Sequence, residues 1–383
     1  MNSRLHLGMV DAMRLTRAGQ LREAVATIQR TLRGAPASTA AVDTATVHVD
    51  LSAAPVDSWR RYFGPRPPAG TISAPSLDLA HEDGRFVTGS YSNRAGTRGY
   101  KLYIPRGYHG QRLPLVVMLH GCTQDPDDFA DGTRINELAE AQPCLVVYPA
   151  QTPAANGSKC WNWFKATDQN RGEGEPSIIA GITREILATY HLDRQKIYVA
   201  GLSAGGAMAL TMAMTYPDLY AAVGIHSGLP HGAAKDLPSA FMMMQGGEVT
   251  PGLRAPAIGG RQPAVPTIVF HGDQDKTVHP GNGDRVIAQC APPQSSQPAQ
   301  AVRNPRVKVE RGQVPKGHAY TRTTHHDADG KPIMEQWLIH GAGHAWSGGS
   351  SRGSYTDPLG PDASREMLRF FREHALPGPS EIS

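Results

Sequence analysis

Between residues 99 and 340 the apolar positions gather into short runs separated by polar, glycine-bearing turns. Gly99-Tyr-Lys-Leu-Tyr-Ile-Pro105 alternates with a period of two and predicts a strand. Leu115-Val-Val-Met-Leu119 is a continuous apolar run, which suits a strand buried on both faces. Helical spacing then predicts a helix over Asp128–Gln142, followed by a strand at Leu145–Tyr148. Pro176 sits where a helix can open, and that helix should run to about Tyr190. A strand at Ile197–Ala200, a helix at Ala204–Met214 and strands at Ala221–Ile225 and Thr267–Phe270 follow. Further on, strands are expected at Val307–Gln313, Tyr320–His325 and Met334–Ile339, the last entered by a tight turn at Asp327-Ala-Asp-Gly330. A final helix opens after Pro361 and covers Asp362–His374. Strand alternating with helix predicts an α/β fold, with a mostly parallel sheet covered by helices on both faces.

The N-terminal pattern differs. Val10, Met13, Leu21, Val25, Ile28 and Leu32 recur at roughly helical spacing, so residues 1–34 read as a short helical extension for docking or oligomerisation. Residues 35–83 lack a period and are rich in Ala, Thr, Ser and Pro, as a linker and irregular segment would be. The catalytic domain is expected over 84–377. Within it, residues 229–266 are rich in Gly, Pro and Met and read as an insertion, a lid over the pocket or else a surface excursion.

Composition narrows the function. Hydrophobic residues make up 40% and charged residues 19%, an ordinary globular balance. A net charge of +4 without a dense basic patch does not argue for nucleic acid, and none is expected as a partner. No apolar run is long enough to span a membrane. The start lacks the pattern of a secretory signal, which by itself suggests a cytoplasmic protein. Cofactor and metal motifs are missing. His325-His326-Asp327 has metal-binding residue types, but neighbours on a strand face opposite ways. Four cysteines are too few for a disulfide scaffold. They are either buried thiols or, for Cys122 and Cys160, which flank loops near the suspected site, a bridge.

Gly201-Leu202-Ser203-Ala204-Gly205 matches G-x-S-x-G between a predicted strand and a predicted helix. That turn is too sharp for bulky neighbours and projects the serine from the carboxyl edge of the sheet. A serine hydroxyl needs a base, and the base needs an orienting acid. His271-Gly272-Asp273-Gln274-Asp275 follows a strand, and Asp275, further into the loop, is favoured over Asp273 as that acid. His340-Gly341-Ala342-Gly343-His344 follows the last strand, and His344 is favoured over His340 as the base. The oxyanion donors are expected to be the backbone N–H groups of Ala204 and of Cys122 in His120-Gly121-Cys122-Thr123. Trp161, Trp163 and Trp346 lie in loops beside this site and could line an acyl or aryl pocket or pack the loops.

The set Leu119-His-Gly-Cys-Thr-Gln124, Cys160-Trp-Asn-Trp163, Gly201-Leu-Ser-Ala-Gly-Gly206, His271-Gly-Asp-Gln-Asp275, Gly343-His-Ala-Trp-Ser-Gly-Gly349 and Gly353-Ser-Tyr-Thr-Asp-Pro358 resembles the polyhydroxybutyrate depolymerase family of esterases. The likeness covers roughly residues 84–375. It implies an α/β-hydrolase with Ser203 as nucleophile, Asp275 as acid and His344 as base, and an oxyanion hole near Cys122 and Ala204. It implies an ester substrate, from polyester or oligoester to aryl or acetyl ester, because relatives include feruloyl and acetylxylan esterases. It also raises an extracellular location. The chain departs from secreted depolymerases in lacking an evident signal peptide and a separate polymer-binding domain. An acyltransferase using the same triad, and an inactive binding protein, are the alternatives to a hydrolase.

Overall fold

The computed structural model describes residues 84–247, 265–291, 307–327 and 329–378, all within the unit Ala80–Ser383. The expected extension 1–34 and linker 35–83 lie outside the described residues, as do residues 248–264 of the expected lid. In chain order the elements are β1 (Arg85–Asn93), β2 (Gly96–Ile104), β3 (Leu113–Leu119), α1 (Pro126–Thr133), α2 (Ile135–Ala141), β4 (Leu145–Pro149), α3 (Gly174–Thr189), β5 (Leu192–Leu202) and α4 (Ala204–Thr215). There follow β6 (Ala222–His226), α5 (Leu237–Met244), β7 (Thr267–Gly272), α6 (Gly281–Cys290), β8 (Val307–Gln313), β9 (Ala319–His326), β10 (Pro332–Ile339), the short β11 (Trp346–Ser347) and β12 (Thr356–Asp357), and α7 (Ala363–Arg372).

Ten strands form one sheet in the order β1-β2-β4-β3-β5-β6-β7-β10-β9-β8. The stretch from β4 to β10 is parallel, and antiparallel strands finish both edges. Side chains alternate across the sheet, so each strand feeds two cores. Leu115, Val117 and Leu119 face one core with Ile178, Ile182, Met208 and Val286 from α3, α4 and α6. Val116 and Met118 face the other with Phe129, Ile135, Met367 and Phe371 from α1, α2 and α7. Among the described residues no helix is long and apolar enough to cross a membrane.

The helix expected over Asp128–Gln142 is instead two helices. Arg134 adopts φ 56°, the left-handed region, between them. Tertiary partners take the carbonyls that a continuous helix would need. Ser350 N donates to Gly132 O at 2.8 Å, and Ser364 Oγ donates to Thr133 O at 2.6 Å. Five of these elements had no counterpart in the sequence reading: β1, α5, α6 and the short pair β11 and β12. The expected lid is described at 229–247, where Leu229, Ala233, Ala234, Ala240 and Met243 are buried and Asp236 and Ser239 form a capping box that starts α5.

Candidate active site

Parallel strands deliver their carboxyl ends to one edge of the sheet. Leu119 of β3 lies beside Gly201 of β5, and Ile339 of β10 lies beside Gly272 of β7. The loops bearing Cys122, Ser203, Asp275 and His344 leave from these ends. Ser203 stands at the junction of β5 and α4 with φ 58° and ψ −120°. A serine in that region is strained, and the surroundings must enforce it. Gly201 and Gly205 permit it. A Cβ on Gly205 would come within 2.0 Å of Leu119 O, and one on Gly201 within 2.4 Å of the Gly205 carbonyl carbon. The Ser203 side chain makes no capping bond to α4.

His344 Nδ1 lies 2.7 Å from Asp275 Oδ2. A carboxylate at Nδ1 fixes the proton there, which leaves Nε2 as the basic nitrogen. Asp275 Oδ1 accepts from the Thr277 and Val278 amides, each at 2.9 Å. His271 Nε2 stands 3.4 Å from Oδ2 on the other side and donates to Val278 O at 2.8 Å. Burial alone would raise the Asp275 carboxyl, but the hydrogen bonds from His271, His344 and the Val278 amide hold it well below the usual carboxylate range. Asp273 has other partners. It accepts from His340 Nδ1 at 3.0 Å and from the Gly341 amide at 2.8 Å. The structure therefore brings Asp275 to His344 and Asp273 to His340.

His226, which the sequence reading passed over, stitches the serine to the histidine loop. Its carbonyl accepts from Ser203 N at 2.9 Å, and its Nε2 accepts from Ser347 N at 3.0 Å. The ring is stacked on Phe270 and Trp346. Burial lowers its pKa to about 3, so it is neutral. The only hint in the sequence is an imidazole that continues the apolar run Ala221–Ile225 and must find partners in the core.

The loop after β3 lies over the serine. A Cβ on Gly121 would sit 3.7 Å from Ser203 Cβ. Among the described residues the N–H of Cys122 has no acceptor, and the N–H of Ala204 heads α4, where helix geometry provides none. Gln124 Oε1 accepts from Gly121 N at 2.9 Å. His120 Nε2 accepts from Gln151 N at 3.1 Å, so its Nδ1–H donates to Gly121 O at 2.8 Å. Burial lowers the His120 pKa to about 4. Cys122 is disulfide-bonded to Cys160, with Cα atoms 4.2 Å apart, while Cys144 and Cys290 are free and buried.

Trp161, Trp163 and Trp346 are all buried, with at most 6% of their surface exposed. Trp161 tilts against His120, and Trp163 meets Phe164 edge-on. Trp346 packs edge-on against Phe129 and donates Nε1 to Ser364 Oγ at 3.0 Å. None presents an exposed face to a ligand in this structure. Among the described residues no group of three or more His, Cys, Asp or Glu could hold a metal ion.

The family model described as Esterase PHB depolymerase matches residues 98–303, more than half of the 383. The match takes in Cys122, Ser203 and Asp275, and His344 lies beyond it. Poly(3-hydroxyalkanoate) depolymerase C of Paucimonas lemoignei is 32% identical over 248 residues, which is 63% of this chain and 57% of that protein. A probable acetylxylan esterase A of Aspergillus fumigatus is 30% identical over 219 residues, 54% of this chain and 57% of that protein. Feruloyl esterase B of Neurospora crassa is 29% identical, covering 51% of this chain and 69% of that protein. The chain thus spans little more than half the length of the first two. The solved acetyl xylan esterase from Aspergillus awamori superposes with a TM-score of 0.54 at 19% identity, over 75% of this chain and 99% of that one. That likeness establishes the α/β-hydrolase fold.

Proposed function

The chain belongs to the esterase PHB depolymerase family, and from that membership we propose that it hydrolyses carboxylic esters through an acyl-enzyme on Ser203. The observation that carries the reading is the 2.7 Å Asp275–His344 bond on the same carboxyl edge of the sheet as a serine held at φ 58°. Ser203 Oγ attacks the ester carbonyl while His344 Nε2 takes its proton. The carbonyl oxygen becomes an oxyanion and meets the N–H groups of Cys122 and Ala204. His344 then returns the proton to the departing alcohol. Water repeats the cycle and releases the acid. Asp275 stays ionised throughout and stabilises the imidazolium.

For the substrate we favour a polyester or oligoester of hydroxyalkanoic acids, supported by the likeness to a poly(3-hydroxyalkanoate) depolymerase. An acetyl or feruloyl ester on a polysaccharide is the second reading, supported by the likeness to an acetylxylan esterase and a feruloyl esterase. The disulfide supports an oxidising, extracellular compartment. Polyhydroxybutyrate, acetylated xylan, feruloyl and short aryl esters assayed side by side test the choice. Release of hydroxybutyrate or its oligomers at the highest kcat/KM upholds the first reading, and faster acetate or ferulate release transfers it to the second. Glycerol added to the aryl-ester assay separates hydrolysis from acyl transfer by the product formed.

A further inference from the structure

A buried polar network lies behind the loop after β3. Its hub is Glu175 in the first turn of α3, 3% exposed. Glu175 Oε1 accepts from Arg98 Nη2 at 3.0 Å, Gln151 Nε2 at 2.5 Å and Asn162 Nδ2 at 2.7 Å. Its Oε2 accepts from Asn162 N at 2.7 Å. Arg98, Gln151 and Asn162 are themselves buried, at 6%, 4% and 3%.

Two arms run from this hub to one peptide unit. Gln151 leads the first: its backbone N–H bonds His120 Nε2, and His120 Nδ1–H bonds Gly121 O. In a trans peptide the carbonyl and the next N–H point opposite ways, so holding Gly121 O aims the Cys122 N–H. The second arm reaches the same residue from the other side. Gln151 Nε2 holds Cys160 O at 2.9 Å, Glu175 holds Asn162 two residues on, and Cys160 is bonded to Cys122. A buried ion pair adds little stability over apolar residues of like volume. What this one adds is a fixed orientation.

We propose that Glu175 is a positioning residue for the oxyanion hole, acting through Gln151, His120 and the Cys122–Cys160 loop on the Cys122 amide. The proposal rests on the ester-hydrolase reading above. The chemistry favours a carboxylate at the hub, because four donors converge there and a carboxylate accepts without donating. Glu175→Gln keeps the shape but turns an NH₂ toward a donor, either the Asn162 backbone N–H or the cluster at Oε1. The Cys160 loop must then shift. Loss of one oxyanion donor costs on the order of 10²–10³ in kcat, and a misplaced one costs less.

The test measures kcat and KM for a short aryl ester, per active site titrated with a fluorophosphonate. It also measures the inhibition constant of a trifluoromethyl ketone analogue of that ester, whose tetrahedral adduct carries the oxyanion. For Glu175→Gln we expect kcat to fall roughly 10- to 100-fold. KM should stay within about twofold and the ketone should weaken in proportion to kcat/KM, the signature of an interaction made only in the transition state. Wild-type kcat and ketone affinity per titrated site would overturn the proposal, as would a loss confined to KM or to thermal stability. Gln151→Met, which cuts the side-chain bonds to Cys160 O, Glu175 Oε1 and Arg98 Nε and leaves the backbone bond to His120, carries the same test if Glu175→Gln fails to fold. It should shift kcat and ketone affinity together but less. Ser203→Ala run in parallel separates the two readings: if it still turns over, ester hydrolysis at Ser203 fails, and if it is dead while Glu175→Gln is normal, only the positioning role fails.

Discussion

Asp273 and Asp275 stand two residues apart on one loop and serve different histidines. Asp275 holds His344 at 2.7 Å, and Asp273 holds His340 at 3.0 Å together with the Gly341 amide. Asp275→Asn would favour the wrong imidazole tautomer and should lower kcat by roughly 10⁴. Asp273→Asn removes a brace from the loop that carries His344 and should cost at most about 100-fold, as a small misplacement does. Steady-state kinetics on the two variants check this, and equal losses or the reverse order would move the acid's role to Asp273. The competition between these carboxylates was visible in the sequence, because both follow one predicted strand. The partners of His226 were not. Its contacts, Ser203 N and Ser347 N, come from segments 23 residues before it and 121 after it, and no local pattern announces bonds of that range.

The turn between β5 and α4 is the element on which the site depends, and its glycines are fixed by close approach. A Cβ at position 205 would meet Leu119 O at 2.0 Å and His120 O at 2.6 Å, both backbone atoms that cannot rotate away. Gly205→Ala should therefore destabilise by at least the upper end of the roughly 1–3 kcal/mol that overpacking costs. Urea unfolding reads this directly, and a wild-type midpoint would contradict it. The disulfide loop is the second such element. Reduction should lower kcat with little change in far-ultraviolet circular dichroism, since the bond anchors one loop over an intact sheet. Closing 38 residues is worth about 4 kcal/mol in the loop-entropy model. Denatured, unreduced protein should titrate two thiols, Cys144 and Cys290. In the native state both should react slowly, because burial pushes them up to about 12 and about 11. Four thiols before reduction would refute the bridge. The central strands and the turn between β5 and α4 were legible because apolar runs and G-x-S-x-G are local signals. The break at Arg134 was not, because Ser350 and Ser364, which take the carbonyls there, lie more than 200 residues away. The helix α6 was hidden by Gly281 and Gly283 in its first turn, where the helical period is weakest.

At the scale of the whole molecule, buried histidines tie stability to pH, His374 among them, lowered by burial. His120, His226 and His231 lie in the interior, and burial lowers them from 6.5 to about 4, about 3 and about 4. As pH falls below 6.5 the unfolded chain binds protons that the native state refuses, so stability must fall. Each such histidine contributes up to about 1.4 kcal/mol per pH unit in that window. Below about pH 4 Asp275 adds to the loss, since its folded carboxyl lies under the unfolded value of 3.8 and stability present above that value disappears with acid. Tm followed from pH 6.5 to pH 4 should drop continuously, and a flat curve would show that these rings are not neutral and buried as described. The two-faced core, with α3, α4 and α6 on one side and α1, α2 and α7 on the other, follows from the period-two alternation of the strands. The antiparallel edges depend on pairings such as β1 with β2, where the nine residues of β1 are half-buried or exposed and weakly patterned.

The central claim is that Ser203 is the nucleophile of an esterase. It is tested most directly by treating the intact chain with a fluorophosphonate and locating the adduct by peptide mass spectrometry, beside turnover of Ser203→Ala. The account predicts a single adduct on Ser203 that tracks the loss of activity. It also predicts a variant that folds normally and retains on the order of 10⁻⁴ to 10⁻⁶ of the wild-type kcat. An adduct on another residue, or a variant keeping more than about a tenth of kcat, a deficit of less than about 1.4 kcal/mol in the barrier, would contradict it.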